Sequence, residues 1–356
     1  MVDSIAVHEK WLIQEGGAAS IRARFSWEEK GPYLRKKLRS MCETRAAQGR
    51  LVPPLWLDDD GAIKAAHENL VQRTYGSIHP QVFQIPCNSA ILDAGAHYGY
   101  FIFYAVESAA SQSPTGDHGL HIVAIEPSKT NAERLLSNVN ALQCVNVIKG
   151  AVDANERIGS FYHDQKSSWN SCMVEQAKKR QKTTMRGSRT EVYNVSVHDM
   201  NKMVQNTKVV KIDVEGSDVE ILLHLNPKSW QTVEYLFVEY SIAREIDKGI
   251  EQMKKDGDDL GKDDPVTTAI ETFTKVLKKL ETAEFTHCYL PPEVYQRKRW
   301  TKGHIRNGKD FVFMARKWAE DQSEHYKILR TKWKQFGTLI HASLTSVDDS
   351  DDQNSE

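Results

Sequence analysis

Ile91-Leu92-Asp93-Ala94-Gly95-Ala96-His97-Tyr98-Gly99 decides how this chain is read. Ala90 to Ala94 is an apolar run broken by an acid near its end, and Gly95 and Gly99 mark a tight turn. Tyr100-Phe101-Ile102-Phe103-Tyr104-Ala105 then opens a helix. The reading is a buried strand, a turn and a helix. In an open parallel sheet, ligands bind outside the carboxyl ends of the strands, so Asp93 puts a carboxylate at such a mouth. Gly95 lets the backbone approach a ligand closely, and Gly99 lets the helix pack tightly as it begins.

The same pattern continues outward. His121 to Glu126 reads as a second strand, and the helix after it carries Ala132, Leu135, Leu136 and Val139 behind a Ser128 N-cap. Val145 to Ile148, Val209 to Asp213 and Tyr235 to Glu239 read as third, fourth and fifth strands. A helix from Asp264-Pro265 aligns Val266, Ala269, Ile270, Phe273, Leu277 and Leu280, with Asp as cap and Pro at the first helical position. Phe285 to Leu290 and Phe311 to Met314 form a closing antiparallel hairpin. Strands alternating with helices imply an α/β fold around a mostly parallel sheet covered on both faces. Residues 1–85 are charged and helix-leaning, and read as a helical accessory segment beside a main domain over 86–317. A C-terminal helical segment over 318–345 and a disordered acidic tail over 346–356 complete the plan.

The turn chemistry selects a ligand. A dinucleotide pyrophosphate wants GxGxxG, whereas this turn is GxxxG with an acid two residues ahead. That carboxylate would repel a pyrophosphate and suits an ammonium group. S-adenosylmethionine has no phosphate and carries both an ammonium and a sulfonium. Glu126, ending the second strand, suits ribose hydroxyls, and Asp153, after the third, suits the adenine amino group.

Composition narrows the classes. The 356 residues carry 47 Lys and Arg against 48 Asp and Glu, which excludes a uniformly basic nucleic-acid coat but not local basic patches. The tail from Val347 to Glu356 holds five acids and no base, so the rest of the chain is net positive. No apolar run approaches the ~18 residues of a membrane span, and no signal peptide is expected. Five scattered cysteines without a CxxC pair read as free thiols in a cytoplasmic setting.

The chain resembles class I S-adenosylmethionine-dependent methyltransferases, and within them the FkbM family. The resembling residues are Ile91 to Gly99, Ile125-Glu126-Pro127 and Gly150-Ala151-Val152-Asp153. They continue with Val210-Lys211-Ile212-Asp213-Val214-Glu215-Gly216 and Phe237-Val238-Glu239. Ser168-Trp169-Asn170-Ser171 takes the place of the family's short Asn-Ser loop, and the likeness covers about residues 88–242. It implies a Rossmann-like seven-stranded methyltransferase sheet and methyl transfer, most often to a hydroxyl oxygen. The cofactor site would comprise Asp93, Gly95, Ala96, His97, Tyr98, Gly99, Glu126, Pro127, Asp153 and Asp213.

A sulfonium methyl is already activated, so catalysis is mainly alignment and exclusion of water, with a general base for a hydroxyl acceptor. Asp213, Glu215 and Glu239 lie at the mouths of the fourth and fifth strands, and His304 sits in the closing hairpin. Glu215 equally suits a helix start, where the dipole favours an acid. Two carboxylates without an evident third ligand define no metal site. Asn170, Ser171 and Trp300 are the substrate-binding candidates. The basic loops over 178–189 and 297–309 suit an RNA acceptor as well as an anionic metabolite. Three functions therefore follow in order: a small-molecule or glycan methyltransferase acting on oxygen or nitrogen, an RNA methyltransferase, and a non-catalytic binding module of the same fold. No membrane partner is expected.

Overall fold

In a computed structural model of the protein, the described residues are 27–48, 52, 60–71, 85–164, 172–173, 190–240, 265–289 and 311–317. The expected C-terminal segment, the acidic tail, the two basic loops, Asn170, Ser171, Trp300 and His304 all lie outside them. Within the N-terminal segment stand helix α1 (Trp27–Ala47) and helix α2 (Asp60–Ala66), the latter running into a π-helical turn over His67–Val71.

Strand β1 (Ala90–Ala94) leads into helix α3 (Tyr100–Ala110), and β2 (His121–Glu126) into α4 (Lys129–Val139). Strand β3 is Val145–Lys149. A four-strand group follows: β4 (Ala151–Asp153), β5 (Arg157–Asp164), β6 (Cys172–Met173) and β7 (Thr190–Asp199). The chain continues through α5 (Met200–Met203), β8 (Val209–Ile212), α6 (Asp218–Leu223) and β9 (Tyr235–Tyr240). It closes with α7 (Pro265–Thr282), β10 (Phe285–Tyr289) and β11 (Phe311–Lys317).

The central sheet runs β10-β11-β9-β8-β1-β2-β3. Its five strands from β9 to β3 pair in parallel, while β11 is antiparallel to both β9 and β10. The continuous apolar runs are explained by burial on both faces. Ile91, Ile122, Tyr235 and Phe237 join a core with α2 and α3, and Leu92, Ala94, Val210, Leu236 and Val238 join another with α6 and α7. Strand order reverses at β1, which has β2 on one side and β8 on the other. The crevice at their carboxyl ends is where such sheets bind ligands.

Two expectations change. Leu136, expected on the buried stripe of α4, is 42% exposed, whereas Asn138 is buried and donates to the Tyr98 carbonyl at 2.7 Å. The packed face is the stripe of Asn131, Ala132, Leu135, Asn138 and Val139, and Leu136 falls to one side of it. The larger change is a second sheet, in the order β4-β7-β5-β6, where the sequence reading places no strand between Asp153 and Val209. Its β5–β7 ribbon buries Phe161 and Val197 against Met173 and leaves Ile158 and Val192 exposed. A half-buried ribbon alternates along the chain instead of forming an apolar run, so its signal is weaker.

Candidate active site

The turn after β1 is shaped by contact with β8. Gly95 has φ +76°, and a Cβ there would stand 1.8 Å from the Asp213 carbonyl oxygen, so only glycine fits. The amides of Gly95 and Ala96 both donate to the Ile125 carbonyl at 3.0 Å, tying the turn to β2. Gly99, at φ +81°, stands just before α3, where a Cβ would meet Leu135 Cδ1 at 2.6 Å. His97 is itself left-handed, at φ 51°, and its ring stacks on Tyr98 with centroids 4.0 Å apart. Tyr98 is 1% exposed and its hydroxyl accepts from Arg134, so it supports the turn from beneath.

Glu126 closes β2 beside this turn. Its Oε2 accepts the His97 amide at 2.8 Å, and its Oε1 accepts the Ser128 amide at 2.9 Å and Asn131 Nδ2 at 3.4 Å. An ionised carboxylate offers about four acceptor sites, which leaves room at Oε2 for a ligand hydroxyl. Burial pushes this carboxyl up to about 7, against the pull of the Ser128 and His97 amides, Asn131 and Lys211. The Pro127–Lys129 loop is gripped by the second sheet. The Tyr193 hydroxyl accepts the Lys129 amide at 2.9 Å and donates to the Pro127 carbonyl at 3.3 Å, while His163 Nδ1 lies 3.3 Å from Ser128 Oγ.

Asp93, next to last in β1, is a buried carboxylate. Its side chain is 0% exposed and lies 3.2 Å from Lys211 Nζ, which faces it across the β1–β8 register. The ammonium beside Asp93 in this structure is that of Lys211. Burial raises its carboxyl above the usual range even with Lys211 beside it. Lys211, within the Val210-to-Gly216 run, brings a cation between two acids, Asp93 and Asp213. Its Nζ also donates to the Gly95 carbonyl at 2.9 Å and stands 3.3 Å from Asp213 Oδ2. A lysine inside a strand that is otherwise Val-Val-Ile was the available signal, since buried charges need partners.

Asp213 follows β8 directly and its side chain is 27% exposed, open where Asp93 is closed. Burial would raise its carboxyl, but Lys211, a hydrogen bond with Glu239 and the nearby His97 hold it below its ordinary value. Beyond it, Glu215 is left-handed at φ 55°. Asp218 fixes that bend, its Oδ1 accepting the Val214 amide and its Oδ2 the Gly216 amide, each at 3.0 Å. The helix-start acid is thus Asp218 and not Glu215, because α6 begins three residues later than Glu215. Asp153 is engaged as well: Arg157 reaches its Oδ2 at 2.6 Å and the Ala154 amide its Oδ1 at 2.8 Å.

Carboxylates at the ends of β2, β8 and β9, with a glycine turn between, fit a cationic, hydroxyl-bearing ligand such as S-adenosylmethionine. This strand order and site define the class of Rossmann-like methyltransferases. The profile described as "Methyltransferase FkbM domain" matches residues 93–280. The chain belongs to that family and is an S-adenosylmethionine-dependent methyltransferase. No curated protein sequence matches it. Among solved structures, it is similar to the fibrillarin pre-rRNA processing protein of Methanococcus jannaschii at 16% identity, with 66% of this chain and 69% of that one covered and a TM-score of 0.33. An O-methyltransferase from Bacillus cereus with bound S-adenosylhomocysteine shares 12% identity, over 80% of this chain and 91% of that one, with a TM-score of 0.33. Among the described residues, no helix is long and apolar enough to cross a membrane.

Proposed function

We propose that the protein methylates an oxygen of a small molecule or glycan. The observation that carries this reading is the placement of Asp213 and Glu239 at the ends of the adjacent parallel strands β8 and β9, beside the Gly95–Gly99 turn. The bound cofactor supplies a methyl group activated by its sulfonium. Glu126 accepts a ribose hydroxyl at Oε2, and the turn carries the amino-acid end of the cofactor. Asp213 accepts the proton that a hydroxyl acceptor releases, a task that a neutral amine does not require. Glu215, on the bend that Asp218 fixes, offers a second acid to the acceptor. Asn170, Ser171, Trp300 and His304 are assigned to the acceptor side, and Asp153 to the adenine end through its fixed pair with Arg157.

In this reading the seven strands form one methyltransferase sheet and residues 1–85 are an accessory segment upon it. The Arg45–Glu107 ion pair between α1 and α3 supports that docking. The free thiols of Cys42, Cys87 and Cys144 accord with a cytoplasmic protein.

The test is transfer of labelled methyl groups onto cell extract divided into small-molecule, glycan, protein and RNA fractions. Label in a small-molecule or glycan fraction, in an ether or ester linkage, is the expected result. Label in RNA alone would replace this reading with one built on the loops over 178–189 and 297–309. Binding of cofactor without transfer to any fraction would point to a binding module.

A further inference from the structure

The second sheet turns one face toward the loop behind Glu126. Across the β5–β7 ribbon Phe161 pairs with Tyr193, and His163 lies two residues along β5 from Phe161, on the same face. Phe161 and His163 are buried there, while Ile158 and Val192, on the opposite face, are exposed. The Tyr193 ring packs beside Phe161 with centroids 5.8 Å apart, and Lys129 Nζ stands 4.3 Å from the Tyr193 centroid.

Ser128 is the residue through which this face reaches the site. It is fully buried; its amide donates to Glu126 Oε1 at 2.9 Å, and its hydroxyl caps α4 by accepting the Asn131 amide at 3.3 Å. A serine hydroxyl has one proton and two lone pairs, so its contact with His163 Nδ1 at 3.3 Å is satisfied by either tautomer. On each side of Ser128, the Tyr193 hydroxyl accepts the Lys129 amide at 2.9 Å and donates to the Pro127 carbonyl at 3.3 Å. The ribbon thus engages Pro127, Ser128 and Lys129 in succession, and the Ser128 amide passes that hold to the carboxyl. With Oε1 on Ser128 and Oε2 on the His97 amide, the plane of the carboxyl is set, and so is the direction in which Oε2 meets a further donor.

We infer that His163 and Tyr193 are positioning residues that hold the Glu126 carboxyl in line for a ribose hydroxyl, so that the second sheet sets the preference of the site for ribose over deoxyribose. A hydrogen bond to a ligand gains most when the acceptor is already ordered, because no side-chain freedom is then lost on binding. The ribbon does that ordering from outside the site, with no contact to the ligand required of either residue. The use of Glu126 on a ribose rests on the cofactor placement proposed above, whereas the hold of the ribbon on the loop does not.

The experiment is calorimetry on the full chain with S-adenosylhomocysteine and its 2′-deoxy and 3′-deoxy ribose analogues. The parent should bind the ribose ligand about tenfold or more tighter than the weaker analogue. In His163→Ala that ratio is expected to fall by about threefold or more, and His163→Asn, whose side-chain amide takes the place of Nδ1, should restore most of it. Amide hydrogen exchange in the ligand-free protein gives an independent reading: residues 126–131 should exchange faster in His163→Ala, and the β1–β2 pairing should not. If His163→Ala does not fold, Tyr193→Phe keeps the ring and is predicted to lower the same ratio and to speed exchange at Lys129. An equal loss of affinity for all three ligands, with the ratio unmoved, overturns the proposal, as does unchanged exchange over 126–131. A parent that does not bind S-adenosylhomocysteine overturns the methyl-transfer reading. One that binds all three ligands alike overturns the placement of ribose at Glu126 and the ribbon's part in it. In both cases the exchange comparison still decides whether the ribbon holds the loop.

Discussion

Glu126, at the end of β2, and Asp213, just past the end of β8, are both acids at the carboxyl edge of one sheet, yet their protonation is governed in opposite ways. Glu126 is stabilised as an anion by dipoles: two backbone amides and an asparagine. These do not offset its burial, and its carboxyl rises to about 7. Asp213 has a full positive charge beside it and is held below its ordinary value despite burial. In the proposed function, one half of the crevice would meet a neutral, hydroxyl-bearing part of the cofactor with a carboxyl raised to about 7. In the same proposal, the other half would set a carboxyl held below its ordinary value toward the methyl group. Position at a strand end is shared, and the nearest partner decides the chemistry.

The harshest way to break this contrast is Gly95→Ala, which acts on the joint between the halves. The new Cβ meets the rigid Asp213 carbonyl at 1.8 Å, and φ +76° is costly for alanine. A loss of about 3 kcal/mol or more in denaturant unfolding, together with loss of cofactor binding, is expected.

Glu126→Gln tests the neutral half by itself. In the parent, a carboxyl raised from 4.5 to about 7 means that the native state holds its proton longer than the unfolded chain does. Stability therefore falls as pH rises through that window, and cofactor affinity rises through about 7 as the carboxylate becomes available for a hydroxyl. The glutamine variant should lose both slopes and bind cofactor about tenfold more weakly at alkaline pH, by ~1–2 kcal/mol. Unfolding curves and calorimetry across that pH range measure the two slopes. Retention of either slope would assign it to another group.

The mildest perturbation is Tyr193→Phe. It removes the hydroxyl that bridges the Lys129 amide and the Pro127 carbonyl but keeps the ring under Lys129. A cost of about 1 kcal/mol in cofactor affinity, with the pH slope of Glu126 intact, is expected from titration.

Much of this was legible in the sequence for a physical reason. Strands buried on both faces, such as Ala90–Ala94 and Val209–Ile212, write themselves as apolar runs, and their ends carry the acids. Ser128 and Pro265 announced their helices by capping chemistry, with the apolar stripes behind them. The second sheet was missed because a ribbon with one wet face has no such run. The lysine beside Asp93 was not legible, because a carboxylate at an open mouth and one paired with a lysine look alike in sequence. Only the register that sets Lys211 across from it tells them apart.

In the proposed function the cofactor spans the two halves, with its ribose at Glu126 and its sulfur toward Asp213. A crystal structure of the full chain with S-adenosylhomocysteine tests it most directly. The expected result is a ribose hydroxyl within hydrogen-bond distance of Glu126 Oε2, the amino-acid end on the Gly95–Gly99 turn, and the sulfur facing Asp213 and Glu239. A ligand seated away from the ends of β1 and β2, or a ribose that does not touch Glu126, would contradict it.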